Sequence, residues 1–140
     1  MSETITGGCQ CGAVRYECTD EPIVAGYCQC TNCQKFTGTG HAVNMLLPKA
    51  AFTVSGEVST YEYDADSGNN MYRVFCPKCG SPVYGGSSGN PNGVMIRVGG
   101  LDDPSIFQAK FSVFKDSALD WDLIDDAVPS FPGMPPKPAS

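Results

Sequence analysis

Seven of the eight cysteines stand in three tight clusters: Cys9-Gln10-Cys11, Cys28-Gln29-Cys30-Thr31-Asn32-Cys33 and Cys76-Pro77-Lys78-Cys79. Cys18 stands alone. Thiolates spaced by one or two residues fall a few ångströms apart on a tight turn, which is what a tetrahedral zinc ion requires. Four cysteines close one zinc site, and three leave a second with an open position. Closed sites build structure; open ones can do chemistry. Cys9/Cys11 and Cys76/Cys79 together would make the closed site, joining residues far apart in sequence. Structural zinc supplies about 10–16 kcal/mol of apparent binding energy coupled to folding, so this site would staple the chain's start to its middle. Gly80 suits the positive φ that follows the second cysteine of such a turn. The other reading of each pair is a redox dithiol, but the βαβ context of a thioredoxin-like motif is missing.

Cys28, Cys30 and Cys33 form the functional cluster. Three thiolates on one loop can face one zinc and give a centre of net charge minus one. Such a centre activates water poorly, because thiolates blunt the metal's acidity. It is suited to hold a substrate thiol, which loses its proton near neutral pH yet stays nucleophilic. The chemistry expected is thiol addition to an electrophile. A closed, structural site results instead if Cys18 or another residue completes the set. Cys18 reads more simply as a small apolar residue on the inward face of its strand. His41, the only histidine, reads first as a hydrogen-bonded structural residue, with a metal ligand or proton carrier as the other reading. Trp121 reads as a packing anchor for the C-terminal segment.

These residues need a scaffold, and strand signals dominate. Ala13 to Cys18 alternates, with Val14, Tyr16 and Cys18 on one face. Further strands are expected over Pro22 to Cys28, His41 to Leu47, Met71 to Phe75, Ser81 to Tyr84, Val94 to Val98 and Phe107 to Phe114. Ala51 to Ser55 and Ser59 to Tyr63 flank Gly56-Glu57 and read as a hairpin. Helix is confined to short turns over Thr31 to Phe36 and Asp103 to Ile106. The expectation is a mainly β domain over 1–131, with metal sites at loop ends, followed by a Pro-rich tail over 132–140.

Length and charge narrow the function. A chain of 140 residues carrying 41% hydrophobic residues builds a core without disulfides. A net charge of −6 argues against nucleic acid, since phosphate contacts need a basic face. The polar stretch Met1 to Gly8 has no apolar signal region, and no apolar run approaches a membrane span. The expected compartment is therefore a reducing cytoplasm, where cysteines read as metal ligands or free thiols. Two C-x-C pairs further weaken a disulfide scaffold, because cysteines that close bond each other only with strain.

The segments Gly8-Cys9-Gln10-Cys11-Gly12-Ala13-Val14-Arg15-Tyr16, Cys28 to Lys35, Phe75-Cys76-Pro77-Lys78-Cys79-Gly80 and Gly99-Gly100-Leu101-Asp102-Asp103-Pro104 resemble the glutathione-dependent formaldehyde-activating enzyme family, which includes centromere protein V-like proteins. The likeness covers about residues 5 to 131. It implies an Mss4-like, mostly β fold and a carbon–sulfur lyase activity, condensing formaldehyde with glutathione to S-hydroxymethylglutathione. It implies two zinc ions per chain: a structural one on Cys9, Cys11, Cys76 and Cys79, and a second on Cys28, Cys30 and Cys33, where glutathione binds. With only three protein ligands, the second site is expected to lose its metal more readily than a closed one. Two departures stand out. Gln29 occupies a position where the family often has histidine, and the His-Ile pair common before the C-terminal tryptophan has no counterpart in Lys110 to Val113. Lys35, Arg73 and Arg97 are candidates to pair with glutathione carboxylates. The rival functions are a non-catalytic zinc-stabilised protein-binding module and a redox or metal-buffering protein.

Overall fold

The computed structural model describes residues 4–134. Residues 135–140, the end of the expected Pro-rich tail, lie outside the described residues. The chain forms two compact units, each built from non-contiguous segments. Among the described residues, unit 1 comprises 4–24 and 45–107, and unit 2 comprises 25–44 and 108–134.

Unit 1 is β structure around an aliphatic core. β1 (Ile5–Gly8), β2 (Arg15–Cys18) and β5 (Phe52–Ser55) form one antiparallel sheet in the order β1-β2-β5. β2 alternates as its sequence does: Arg15 and Glu17 face out, while Tyr16 and Cys18 are buried. The second sheet of this unit runs β9-β8-β7-β6, formed by Gly93–Arg97, Pro82–Ser87, Asn70–Phe75 and Ser59–Asp64. Val83 and Ile96 from these strands are almost wholly buried, as are Met45 and Leu47 from β4 (Ala42–Pro48), whose first residues belong to unit 2.

Unit 2 carries β3 (Val24–Cys28) from its second residue onward, the α-helix α1 (Thr31–Thr37) and β10 (Phe111–Val113). β10 runs parallel to β3, with Val113 opposite Cys28. Gly26 permits this pairing, since a Cβ there would stand 2.5 Å from the Phe111 carbonyl oxygen. The following chain returns to β10: Ser112 N–H donates to Pro129 O, and Phe131 N–H donates to Ser112 O. The first tail residues are also tied in, as Pro132 O accepts from Asp116 N–H and Gly133 O from Phe114 N–H.

Four expectations change. β5 and β6 are not a hairpin, because β5 pairs with β2 and β6 pairs with β7. Packing decides this: Phe52 on β5 sits against Tyr16 and Tyr84, at 5.5 and 5.1 Å between ring centroids. Gly56 takes a φ of +98° and passes so close to Ala13 that a Cβ would lie 2.0 Å from its carbonyl oxygen. β10 spans only Phe111–Val113, because Phe107 closes a 3-10 turn over Pro104–Ile106 that Asp103 caps. The polar N-terminus supplies a strand, β1, whose Ile5 is buried. Trp121 is 68% exposed rather than packed as an anchor; the residue that turns inward there is Asp122.

Candidate functional site

In unit 1 the sulfurs of Cys9, Cys11, Cys76 and Cys79 all lie within 4.8 Å of one another. Two turns bring them together. Cys9 and Cys11 occupy the bend between β1 and β2, closed by Gly12 N–H donating to Cys9 O and Cys9 N–H donating to Val14 O. Cys76 to Gly80 form the turn between β7 and β8, closed by Gly80 N–H donating to Cys76 O. Gly80 takes the expected positive φ, +77°. Gln10 N–H donates to Ser81 Oγ across the two turns.

The donor set fits a metal. Zn–S bonds of about 2.3 Å in a tetrahedron place sulfurs about 3.8 Å apart. Here Cys9 and Cys11 sulfurs are 3.6 Å apart and Cys11 and Cys76 sulfurs 3.7 Å. Backbone N–H groups point at the sulfurs and favour their anionic form: Val14 to Cys9 at 3.2 Å and Lys78 to Cys76 at 3.4 Å. The Val14 N–H lowers the Cys9 thiol, and the Ser81 hydroxyl, then its backbone, brings Cys79 down to about 5. Cys11 is pushed up to about 11: the Ala13 N–H works against the rise, but desolvation and the sulfurs of Cys9, Cys79 and Cys76 prevail. Crowding thiols so closely keeps some of them protonated until a cation neutralises the group.

In unit 2 the sulfurs of Cys28, Cys30 and Cys33 likewise lie within 4.8 Å of one another. Among the described residues no histidine, carboxylate or fourth cysteine joins this group. Cys28 ends β3, and Cys30 is the N-cap of α1, its sulfur accepting from Cys33 N–H at 3.3 Å. A thiolate at an N-cap satisfies one of the helix's unpaired donors. The helix stops at Gly38, whose φ of +74° lets its N–H reach Gln34 O. Gln34 Nε2 donates to both Gln29 O and Ser117 O at 2.9 Å, clamping the cysteine loop. Gln29 is buried and accepts from Ser112 Oγ at 3.0 Å. Hydrogen bonds from Cys28 and Cys33 hold the Cys30 thiol at about 2, while Cys30, Cys33 and burial push Cys28 far up. The Cys33 N–H at the helix start favours the anionic form of Cys30. This three-sulfur set also fits a thiophilic metal with room for one further ligand.

The remaining candidates disperse. Cys18 is fully buried on β2 in unit 1, its thiol directed at Asp20 O, and joins neither group. His41 joins neither group; its Nδ1 meets Asp122 in unit 2, a partner the sequence reading did not find. Lys35 is exposed on α1, in the same unit as the three cysteines. Arg73 and Arg97 belong to unit 1, and Arg73 donates to Tyr63 OH.

A mainly β, Mss4-like fold carrying two cysteine clusters able to hold metal ions defines the class of this protein. Residues 4–117 match the profile of the glutathione-dependent formaldehyde-activating enzymes. The chain belongs to that family. Among solved structures, a Rhodobacter sphaeroides protein is similar, with a TM-score of 0.57 and 20% identity over 74% of this chain and 96% of its own. That likeness concerns the fold. No helix among the described residues is long and apolar enough to cross a membrane.

Proposed function

We propose that this chain adds the thiol of glutathione to a small aldehyde such as formaldehyde, and catalyses the reverse, as an S-(hydroxymethyl)glutathione synthase-type carbon–sulfur lyase. The observation that carries this reading is the group of three sulfurs, with no fourth ligand from the described residues, set in a chain of this family. Cys9, Cys11, Cys76 and Cys79 would hold a structural zinc, and Cys28, Cys30 and Cys33 a second. Bound by three thiolates, zinc would acidify a thiol entering its fourth position without abolishing its nucleophilicity.

The chain's own residues do the rest. The α1 N-cap and the Gln34 clamp hold the three sulfurs in place before substrate arrives, which limits reorganisation during the reaction. The buried Gln29–Ser112 hydrogen bond fixes the loop to β10 without adding a charge beside the sulfurs. Lys35 offers a cation for a glutathione carboxylate on the same unit. The test is the rate of hemithioacetal formation and breakdown by zinc-loaded protein. A rate above the solution reaction, lost on replacing Cys30 by serine, is expected; a rate equal to solution refutes the reading.

A further inference from the structure

Unit 2 holds a second set of reactive side chains. His41 Nδ1 lies 2.9 and 2.7 Å from the two carboxylate oxygens of Asp122. The two side chains retain 19% and 9% exposure, so the pair is nearly enclosed, with the imidazole the more open partner. A carboxylate only accepts, so Nδ1 carries the proton and donates it. Nε2 is left to take up or release a second proton, the arrangement by which carboxylate-held imidazoles act in acid–base catalysis. The contact is built into the backbone. A Cβ on Gly40 would stand 2.3 Å from Asp122 Cγ, so the carboxylate lies where a side chain would otherwise be. The Tyr27 ring meets the imidazole edge-on at 5.3 Å between centroids, fixing its plane.

His41 is tied to both elements that carry the three cysteines. Tyr27 precedes Cys28 on β3. From α1, Thr37 Oγ1 donates to Cys33 O at 2.8 Å and accepts from Thr39 N–H at 3.2 Å, and Thr39 Oγ1 donates to His41 O at 2.9 Å. We propose, resting on the function inferred above, that His41 held by Asp122 is the proton carrier for aldehyde addition at the three-cysteine site. The S–H proton passes to Nε2, and the sulfur lone pair forms the carbon–sulfur bond. The carbonyl π pair moves onto oxygen, and Nε2 returns the proton there. Breakdown of the hemithioacetal runs the same transfers backwards, and nothing is oxidised or reduced. His41 would be a catalytic residue and Asp122 a positioning residue.

The test compares wild-type, His41→Gln, His41→Ala and Asp122→Asn holoproteins with glutathione and formaldehyde, each checked for metal content and melting. His41→Gln should lose about 10²-fold or more of the enzymatic kcat with KM for glutathione unchanged. Asp122→Asn should lose about 10-fold or more, as expected where a carboxylate orients a catalytic imidazole. Added imidazole should restore part of the activity of His41→Ala, which has the space for it, and none to His41→Gln. Nitrogen NMR of the wild-type imidazole should show the proton on Nδ1, and Asp122→Asn should shift that tautomer balance. An active wild type matched by an equally active His41→Gln refutes the dyad and leaves the function standing. A wild type no faster than solution refutes the function and, with it, this role. Activity lost from His41→Ala together with its metal or fold, and not restored by imidazole, assigns His41 to structure and overturns the role.

Discussion

Replacing Gly40 by alanine should destabilise unit 2, although glycine-to-alanine changes at unstrained positions ordinarily stabilise by about 0.4–1 kcal/mol through the unfolded chain. The new Cβ would meet Asp122 at 2.3 Å from Cγ and 2.5 Å from both Cβ and Oδ2. Ordinary contact needs about 3.4 Å or more, so the carboxylate must retreat by about 1 Å. The hydrogen bonds from His41, now 2.7 and 2.9 Å, would then exceed the range in which they bind. Losing a hydrogen bond to a charged, enclosed group costs about 1.5–3 kcal/mol. Net of the unfolded-chain gain, the loss is about 1–2 kcal/mol. With a urea m-value of about 2 kcal/mol/M, the midpoint should fall by about 0.5–1 M. Gly40→Ala and Asp122→Asn break the same contact, so in a double-mutant cycle their costs should not add. An unchanged or raised midpoint for Gly40→Ala, or full additivity with Asp122→Asn, would refute the reasoning.

Further outcomes can be checked by metal content and acid titration. Cys33→Ser should lower bound zinc by one equivalent, measured by elemental analysis, while far-UV circular dichroism stays native. Cys76→Ser should unfold the chain, because it opens the group that joins two turns of unit 1. Cys18→Ala should leave metal content unchanged and cost about 1 kcal/mol of stability, as expected for a small buried apolar side chain; loss of one zinc would return Cys18 to the ligands. Asp102 is held down to about 2, from an ordinary 3.8, first by the Arg15 hydrogen bond and then by Thr6. A depressed carboxylate stabilises the fold above its unfolded value and loses that contribution as pH falls through the folded one. Wild type should therefore exceed Asp102→Asn in stability above about pH 4, by a small, salt-screened margin because both partners are half exposed. That margin should vanish between about pH 4 and 2 in urea melts followed across pH; a margin independent of pH would count against the pairing.

Much of this chain is legible without coordinates where the signal is local. The alternation from Val14 to Cys18 marks one buried face because side chains on a strand alternate every residue, and Tyr16 and Cys18 are indeed sealed. The cysteine spacings mark turns because two covalent steps cannot carry thiols far apart. The short helix is legible from its place inside the second cluster, where Cys30 caps it and Gly38 ends it. The partner of β5 is not legible. Gly56-Glu57 looks like a hairpin turn, but β5 pairs with β2, where the Phe52 ring packs against Tyr16 and Tyr84. Trp121 reads as a packing anchor and is exposed, while Asp122 beside it turns in to His41.

The chemistry on offer can be read along the chain: seven clustered thiols, divided four and three, in a mainly β protein. Local covalent spacing is enough for that. Packing sets the rest: which thiols meet at what distance, that Cys18 stays in the core, and that the only histidine faces a carboxylate 81 positions away. Such pairings depend on which backbones can approach. A missing side chain at Gly40 and a returning C-terminal segment set that approach, and neither leaves a periodic trace in the sequence.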